Sequence, residues 1–218
     1  MDLSLIETLR WEPATGFVRL ERHLARLAGS AVDLGVPGAE KARDALFAAL
    51  PSSALPGRAE EGEPRPAPLR IRLELFADGR IEVQTAPFTP LPPEATWRLK
   101  IAATRLSSAD PLLRHKTSRR AVYAAARAEH PAAEADEMIL LNERGEVCEG
   151  TITSLFLDDG SGILKTPPLS SGLLAGVLRE ELLETGKAVE KALRPEDLAR
   201  GTILMGNSLR GLIRSELA

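Results

Sequence analysis

The stretch that decides the fold is LRHKTSRRAVYAAARAEHPAAEADEMILLNERGEVCEGTITSLFLDDGSGILKTPPLSSGLLAG, residues 113–176. Short apolar runs separated by Asn/Gly and Asp/Gly turns predict four strands in it: Glu137–Leu141, Glu146–Glu149, Ile152–Leu157 and Ile163–Thr166. An Ala/Arg-rich run predicts a helix over Thr117–His130, which Pro131 ends, and a second helix is predicted over Gly176–Thr185. Short strands mixed with helices predict an α+β fold with mostly antiparallel sheets and flanking helices.

Three features of this stretch carry chemistry. Lys116 precedes the first predicted helix, Glu149 ends a strand, and the second helix begins after a Pro/Gly-rich loop. Taken singly, a lysine before a helix or a carboxylate at a strand end is usually a solvated charge. Together they are what a protein needs to hold pyridoxal 5'-phosphate (PLP). The amine can bond to the aldehyde, the carboxylate can pair with the pyridine nitrogen, and a helix N-terminus can bind the phosphate.

The N-terminal part of the chain predicts two hairpins and two helices. The predicted hairpins are Leu3–Trp11 with Phe17–Leu20 and the strictly alternating Leu69–Phe76 with Arg80–Ala86, and the helices are Glu21–Leu34 and Ala39–Leu50. The Pro/Gly-rich segment 51–68 predicts an exposed loop. Thr89–Glu94, TPLPPE, is the candidate linker, so we expect domains at 1–90 and 91–218.

The end of the chain continues the mixed pattern. Strands are predicted at Trp97–Thr104, Lys187–Leu193 and Thr202–Met205, a short helix at Pro195–Ala199, and a loop at Gly206–Arg210 before a terminal strand or helix.

Composition excludes several classes of protein. A net charge of −3 argues against broad nucleic-acid binding, which needs a basic face. Charges in the first residues and the lack of a long apolar run predict neither a signal peptide nor a membrane partner, so the default location is cytoplasmic. The single cysteine, Cys148, fits a reducing compartment and is expected to be a small buried apolar residue. The three histidines lack metal-ligand spacing, so no metal site is predicted.

The motifs, taken in order, resemble those of the class IV aminotransferases, which are fold-type IV PLP enzymes. The matching segments are IETLR (6–10), RHLARLAGSA (22–31), HKTSRRAVY (115–123), ADEMILLNERGEVCEGT (135–151), TPPLSSGLLAGVLRE (166–180) and GNSLRG (206–211). They span nearly the whole chain. The resemblance implies a two-domain fold like that of D-amino acid aminotransferase, a small-molecule substrate and a homodimer.

The resemblance also implies roles for individual residues. Lys116 would bond to the cofactor and move the substrate proton, and Glu149 would pair with the pyridine nitrogen. The cofactor phosphate would be bound by the Arg26 side chain and by backbone N–H groups of Val177, Leu178, Asn207 and Ser208. Arg210 is a candidate for binding a substrate carboxylate. The helix that carries Tyr123 is interpreted as packing rather than catalysis.

Within the family, the IET opening, the HKT-x-R-x-x-Y motif and the closing NSLRG are most similar to the members that cleave 4-amino-4-deoxychorismate. That resemblance implies elimination of pyruvate to give 4-aminobenzoate, a step in folate biosynthesis. Relatives that act on branched-chain amino acids carry tyrosine five residues after the lysine, where this chain has Ala121. The family usually has asparagine at the position of Ser154, and many members have threonine at that of Leu178. Two alternatives stay open: an aminotransferase for a D- or branched-chain amino acid, and a non-catalytic binding module.

Overall fold

The structure, a computed structural model, describes residues 3–51 and 67–218. Most of the loop predicted at 51–68 therefore lies outside the described residues. The chain divides into two compact units. The first contains the described residues up to Pro90 together with Lys116–Arg119, and the second contains Leu91–His115 and Arg120–Ala218.

The first unit is an antiparallel sheet of four strands with helices packed on it. Its strands are β1 (Ser4–Glu12), β2 (Gly16–Phe17), β3 (Leu69–Phe76) and β4 (Ile81–Pro87), in the order β2-β1-β3-β4. Its α-helices are α1 (Leu20–Leu34) and α2 (Ala42–Ala48), with a 3-10 turn at Ala39–Lys41 before α2. The hairpin of β3 and β4 is confirmed, and so is α1. In the first hairpin β1 pairs with β2, but the predicted strand Phe17–Leu20 is strand only at Phe17, because Leu20 begins α1. The second predicted helix is confirmed over α2 alone.

Alternation along β1 places one row of side chains in the core. Leu5, Leu9 and Trp11 are buried there against Leu27 and Ala31 of α1. Glu7 belongs to the same row and is also buried. A carboxylate is thus carried into an apolar core, where it needs partners.

The segment Lys116–Arg119 joins this sheet through β1. The Ile6 N–H donates to the Lys116 carbonyl at 2.7 Å, the Ser118 N–H donates to the Ser4 carbonyl at 2.9 Å, and Thr117 forms a bridge with Leu5. The predicted helix over Thr117–His130 is therefore wrong in its first turn. Backbone groups used by β1 cannot form helical hydrogen bonds, so the helix begins only at residue 121.

The second unit is built on one mixed sheet of eight strands. They are β5 (Thr96–Leu106), β6 (Glu137–Asn142), β7 (Val147–Gly150), β8 (Ser154–Asp158), β9 (Leu164–Thr166), β10 (Ala188–Glu190), β11 (Thr202–Asn207) and β12 (Gly211–Leu217). Their order is β10-β9-β8-β11-β12-β5-β6-β7, and an added pairing of β7 with β8 closes six of them into a barrel. Among the described strands, parallel pairing occurs only between β9 and β10, β5 and β12, and β5 and β6. The prediction of mostly antiparallel sheets is confirmed.

Helices cover the outside of this sheet. They are α3 (Ala121–Ala128), α4 (Val177–Glu184) and α5 (Pro195–Leu198), with 3-10 turns at Pro111–Arg114 and Leu169–Ser171. Both faces of β6 are buried, since Ile139 lies in one apolar cluster while Met138 and Leu140 lie in another with Tyr123 of α3. This explains why EMILL reads as a continuous apolar run rather than an alternating one. Among the described residues, no helix is long and apolar enough to cross a membrane.

Candidate active site

The first unit assembles a charged cluster around Glu7. Arg26, from α1, forms a two-point pair with its carboxylate: Nε lies 2.8 Å from Oε1 and Nη2 lies 2.6 Å from Oε2. His23, one turn earlier on α1, places Nδ1 2.6 Å from Oε2. Side-chain exposure is only 3% for Glu7 and 1% for His23. This geometry is the strong, directional form of an arginine–carboxylate interaction.

The electrostatics of the cluster favour an ionised Glu7. Burial by itself raises the pKa of this carboxyl, but the charge of Arg26 and the hydrogen bond from His23 outweigh it, so the pKa falls from 4.5 to about 2. Glu7 therefore stays charged at neutral pH. Arg26, predicted to bind phosphate, is held on this carboxylate with 11% of its side chain exposed. Its role toward phosphate stays a prediction.

The motif resemblance predicts no role for Glu7, which lies within IETLR (6–10). A signal was present, because Glu7 alternates with Leu5, Leu9 and Trp11 on one strand face. A single carboxylate in an otherwise apolar row predicts a buried, partnered charge. Its partners on α1 could not be read from that signal. The structure also places Lys116 next to this part of β1, since its carbonyl accepts the N–H of the residue before Glu7.

The second unit holds Glu149 at the end of β7. This residue is only 5% exposed. Its Oε1 accepts two hydrogen bonds, from the Tyr123 hydroxyl at 2.7 Å and from the Leu174 N–H at 3.2 Å. Tyr123 packs in the core, as interpreted from the sequence, and its hydroxyl also holds the candidate cofactor-binding carboxylate.

Arg120 supports the Tyr123 ring. Its guanidinium carbon lies 4.6 Å from the ring centroid, and Nη2 donates to the Thr151 carbonyl. The ring thus has a cation over its face, and its hydroxyl is bonded to a carboxylate. Burial, followed by the charge and hydrogen bond of Glu149, raises the pKa of Tyr123 well above its usual value of 10.0. The hydroxyl consequently stays protonated and acts as a donor.

The turn after Glu149 is organised by a second buried carboxylate, Glu137. Its Oε1 accepts the N–H and hydroxyl of Thr151 at 3.1 and 2.5 Å, and its Oε2 accepts from Ile152 N–H and the Thr153 hydroxyl at 3.1 and 3.0 Å. Gly150 lies in this turn, where a Cβ would come 2.9 Å from Glu137 Oε2. Glycine and Glu137 together fix the backbone that leaves Glu149.

The remaining predicted groups of this unit meet at the same end of the barrel. Ser154 pairs in register with Glu149 on one side and with Gly206 on the other. Its Oγ lies close to the helix start, since a Cβ on Gly176 would come within 2.6 Å of it. Leu178 approaches Gly206 from α4 in the same way, because a Cβ on that glycine would lie 3.0 Å from the leucine side chain. Ser154 therefore occupies the centre of the group, where most of the family has asparagine.

The turn between β11 and β12 carries Asn207, Ser208 and Arg210. Asn207 Nδ2 donates to the Ile152 carbonyl at 3.1 Å, and its Oδ1 accepts the Arg210 N–H at 2.9 Å. Ser208 is buried. The Arg210 guanidinium lies 5.9 Å from the Trp97 ring centroid. Asn207 thus ties this turn to the loop that follows Glu149.

Each unit by itself carries groups of the kinds that bind PLP. The second unit offers a buried carboxylate held by two donors, which suits a pyridine nitrogen, and the start of α4, whose first N–H groups have no acceptor within the helix. The first unit offers Lys116 and a guanidinium oriented by Glu7.

The comparisons with known proteins agree with this chemistry. The family model for amino-transferase class IV matches residues 4–215, so the chain belongs to the class IV aminotransferases. It is a PLP-dependent enzyme with the fold-type IV architecture. The alternative of a non-catalytic binding module is therefore set aside.

Three relatives are informative. A provisionally assigned amino-acid aminotransferase from Mesorhizobium loti is 46% identical, with a TM-score of 0.87 and 100% of both chains covered. A provisionally assigned 4-amino-4-deoxychorismate lyase of known structure is 31% identical, with a TM-score of 0.78, covering 98% of this chain and 84% of that one. A provisionally named aminodeoxychorismate lyase from Schizosaccharomyces pombe is 29% identical over 207 residues, which are 91% of this chain and 83% of that protein.

Proposed function

We propose that this chain is a PLP-dependent lyase that eliminates pyruvate from 4-amino-4-deoxychorismate to give 4-aminobenzoate for folate biosynthesis. The observation that carries the proposal is the arrangement of HKTSRRAVY. Ala121, five residues after Lys116, is exposed and has no hydroxyl, whereas Tyr123 donates to Glu149. A relative that acts on branched-chain amino acids would carry tyrosine at position 121. The names of the fission yeast relative and of the 31% identical structure support the same activity.

The proposed roles follow the predicted residues. Lys116 bonds to the cofactor aldehyde, and Glu149 pairs with the pyridine nitrogen, for which its burial and its two donors suit it. The proposed phosphate ligands are the Arg26 side chain and backbone N–H groups of Val177, Leu178, Asn207 and Ser208. Leu178 lacks the hydroxyl that many relatives have there but keeps its backbone donor. Arg210 is proposed to bind a substrate carboxylate.

The proposed reaction needs few functional groups from the protein. When bound, PLP withdraws electrons from the carbon that carries the substrate amine. The Lys116 amine, freed when the substrate amine replaces it on the aldehyde, would take the proton from that carbon, and the C–O bond to the enolpyruvyl group would break. The released enolpyruvate gains a proton to become pyruvate, and the ring becomes aromatic. Because aromatisation favours the products, the protein mainly has to position one base and one carboxylate.

A second candidate function is an aminotransferase for a D- or branched-chain amino acid. One finding favours it: the Mesorhizobium loti protein, provisionally named an amino-acid aminotransferase, is 46% identical and covers the chain completely. Both activities would use Lys116 and Glu149 in the same way. They differ in the fate of the amine, which the lyase leaves on its aromatic product and the aminotransferase passes to a keto acid.

Product analysis tests the proposal. The purified protein is incubated with PLP and either aminodeoxychorismate or pairs of amino and keto acids, beside a Lys116→Ala variant. We expect equal amounts of 4-aminobenzoate and pyruvate from the wild type, and loss of both products and of the visible absorption band of bound PLP in the variant. A new amino acid, formed at the expense of a keto acid and without 4-aminobenzoate, would replace the lyase by the aminotransferase.

Three further expectations belong to the same proposal. We propose that the protein is a cytoplasmic homodimer, as the resemblance implies for the family. We also keep domains of 1–90 and 91–218, separated at the Pro-rich segment Thr89–Glu94. Sedimentation at several concentrations, with and without PLP, would test the dimer.

A further inference from the structure

We propose that Tyr123 is a positioning residue for the cofactor: its hydroxyl fixes the orientation of the Glu149 carboxylate that faces the pyridine nitrogen. The inference rests on the proposed role of Glu149 and extends it to a residue outside the predicted site. Tyr123 is not a catalytic residue in this proposal, since it acts through Glu149.

The geometry of the two donors carries the proposal. The Tyr123 hydroxyl comes from α3 and the Leu174 N–H from the loop before α4, yet both reach the same oxygen, Oε1. Two donors from separate elements on one oxygen restrict rotation of the carboxylate. The tyrosine bond is the shorter, at 2.7 Å against 3.2 Å, and is therefore the stronger restraint. Without it, the longer bond from the Leu174 N–H would restrain Oε1 less strongly.

The surroundings keep Tyr123 suited to this task. Tyr123 is 9% exposed and Glu149 is 5% exposed, so water competes little for their hydrogen bond. Burial, with the Glu149 charge after it, raises the pKa of Tyr123, and the hydroxyl remains a donor. The Arg120 guanidinium lies over the ring, 4.6 Å from its centroid, and helps to hold it in place. Arg120 itself is anchored on the Thr151 carbonyl in the turn that follows Glu149.

A role in orienting the carboxylate differs measurably from a role in packing. If the hydroxyl acts through Glu149, its loss weakens only ligands that have a pyridine nitrogen for Glu149 to pair with. If it acts by packing, its loss weakens all cofactor analogues alike. The 1-deaza analogue of PLP, in which a C–H group replaces the pyridine nitrogen, separates the two.

The experiment measures dissociation constants of PLP and of its 1-deaza analogue for the full-length protein, by fluorescence titration of cofactor-free samples. Tyr123→Phe removes the hydroxyl and keeps the ring. We expect PLP to bind about tenfold more weakly to this variant, the factor that one hydrogen bond to a charged group gives. The analogue should bind with an affinity changed by less than about twofold. Cys148→Ala, which shortens a buried neighbour in the same core cluster, is the matched control and should affect both ligands equally.

Two outcomes overturn the inference in distinguishable ways. If Tyr123→Phe changes both affinities by the same factor, or neither, Tyr123 has only a packing role. Glu149→Gln tests the underlying proposal. If it fails to weaken PLP more than the analogue, the pairing of Glu149 with the pyridine nitrogen is wrong, and the inference about Tyr123 falls with it. A selective loss with Glu149→Gln but not with Tyr123→Phe removes the inference and leaves the proposed function intact.

Discussion

Replacing Glu7 by glutamine keeps the length of the side chain but removes a charge that the first unit buries. Arg26 would lose a carboxylate that it holds by two hydrogen bonds of 2.8 and 2.6 Å, and His23 would lose one of 2.6 Å. Removing one partner of a buried ion pair costs about 3–5 kcal/mol, because the other charge stays buried. We expect the free energy of unfolding at pH 7 to fall by about that amount.

The lowered pKa of Glu7 gives an independent value for this loss of unfolding free energy. A pKa lowered from 4.5 to about 2 corresponds to roughly 3 kcal/mol of stability at about 1.4 kcal/mol per pKa unit. The unfolded chain binds a proton at Glu7 below pH 4.5, whereas the folded chain binds it only near pH 2. Stability from this carboxylate is therefore fully present above about pH 5 and is lost as the pH falls toward 2.

The assay is urea denaturation of the wild type and Glu7→Gln between pH 7 and pH 3. The difference in unfolding free energy should be about 3 kcal/mol at pH 7 and shrink to about 1 kcal/mol at pH 3. Glu21→Gln is the matched control, since Glu21 pairs with Arg43 on the exposed side of α1 at 75% exposure. It should change stability by no more than the error of the measurement.

Two results would refute this reasoning. One is a loss of stability at pH 7 no larger than that of the control, because the pair would then contribute nothing beyond a surface contact. The other is a difference that stays constant from pH 7 to pH 3, because the charge of Glu7 would then not be its cause.

Three further predictions concern the second unit. Glu137→Gln should lower the unfolding free energy by about 3 kcal/mol in urea denaturation, because an amide group would face backbone N–H donors; a loss below about 1 kcal/mol would contradict this. Gly150→Ala should lower the melting temperature, since its methyl group would approach Glu137 Oε2 to 2.9 Å and the Met205 methyl to 2.7 Å; an unchanged value would show that the turn adapts. Cys148 should react with a thiol reagent at pH 8 far more slowly than a small-molecule thiol, because burial and the Glu149 charge raise its pKa to about 12; rapid labelling of the folded protein would contradict it.

The spacing of apolar residues along the sequence was enough to predict much of the fold. The alternation in LRIRLELF determined β3 and its partner β4 down to the turn at Ala77–Gly79, because the side-chain period of a strand is two. The apolar spacing of residues 20–34 determined α1 in the same way. The ordered motifs determined the family, which the family model confirmed. Side-chain period and motif order are properties of neighbouring residues, so the sequence displays them directly.

Contacts between distant segments were decided only by the tertiary structure. The run Thr117–Arg120 reads as helix, yet Lys116–Ser118 pairs with β1, more than 100 residues earlier in the chain. The spacing of residues within this run cannot show that β1 competes for its backbone hydrogen-bonding groups. Ser154 was recognised as a departure from the family, but its register opposite Glu149 required the closing of the barrel.

Glu149 and Glu7 show the same difference between what the sequence determines and what the tertiary structure decides. The sequence determined that Glu149 ends a strand and that Glu7 stands in an apolar row, and both positions demand partners. Their partners, Tyr123 at a separation of 26 residues and Arg26 at 19, were fixed by the packing of a helix on a sheet. A charged residue within an apolar strand needs a partner, and the local sequence shows this. Which side chain becomes that partner depends on the fold of the whole chain.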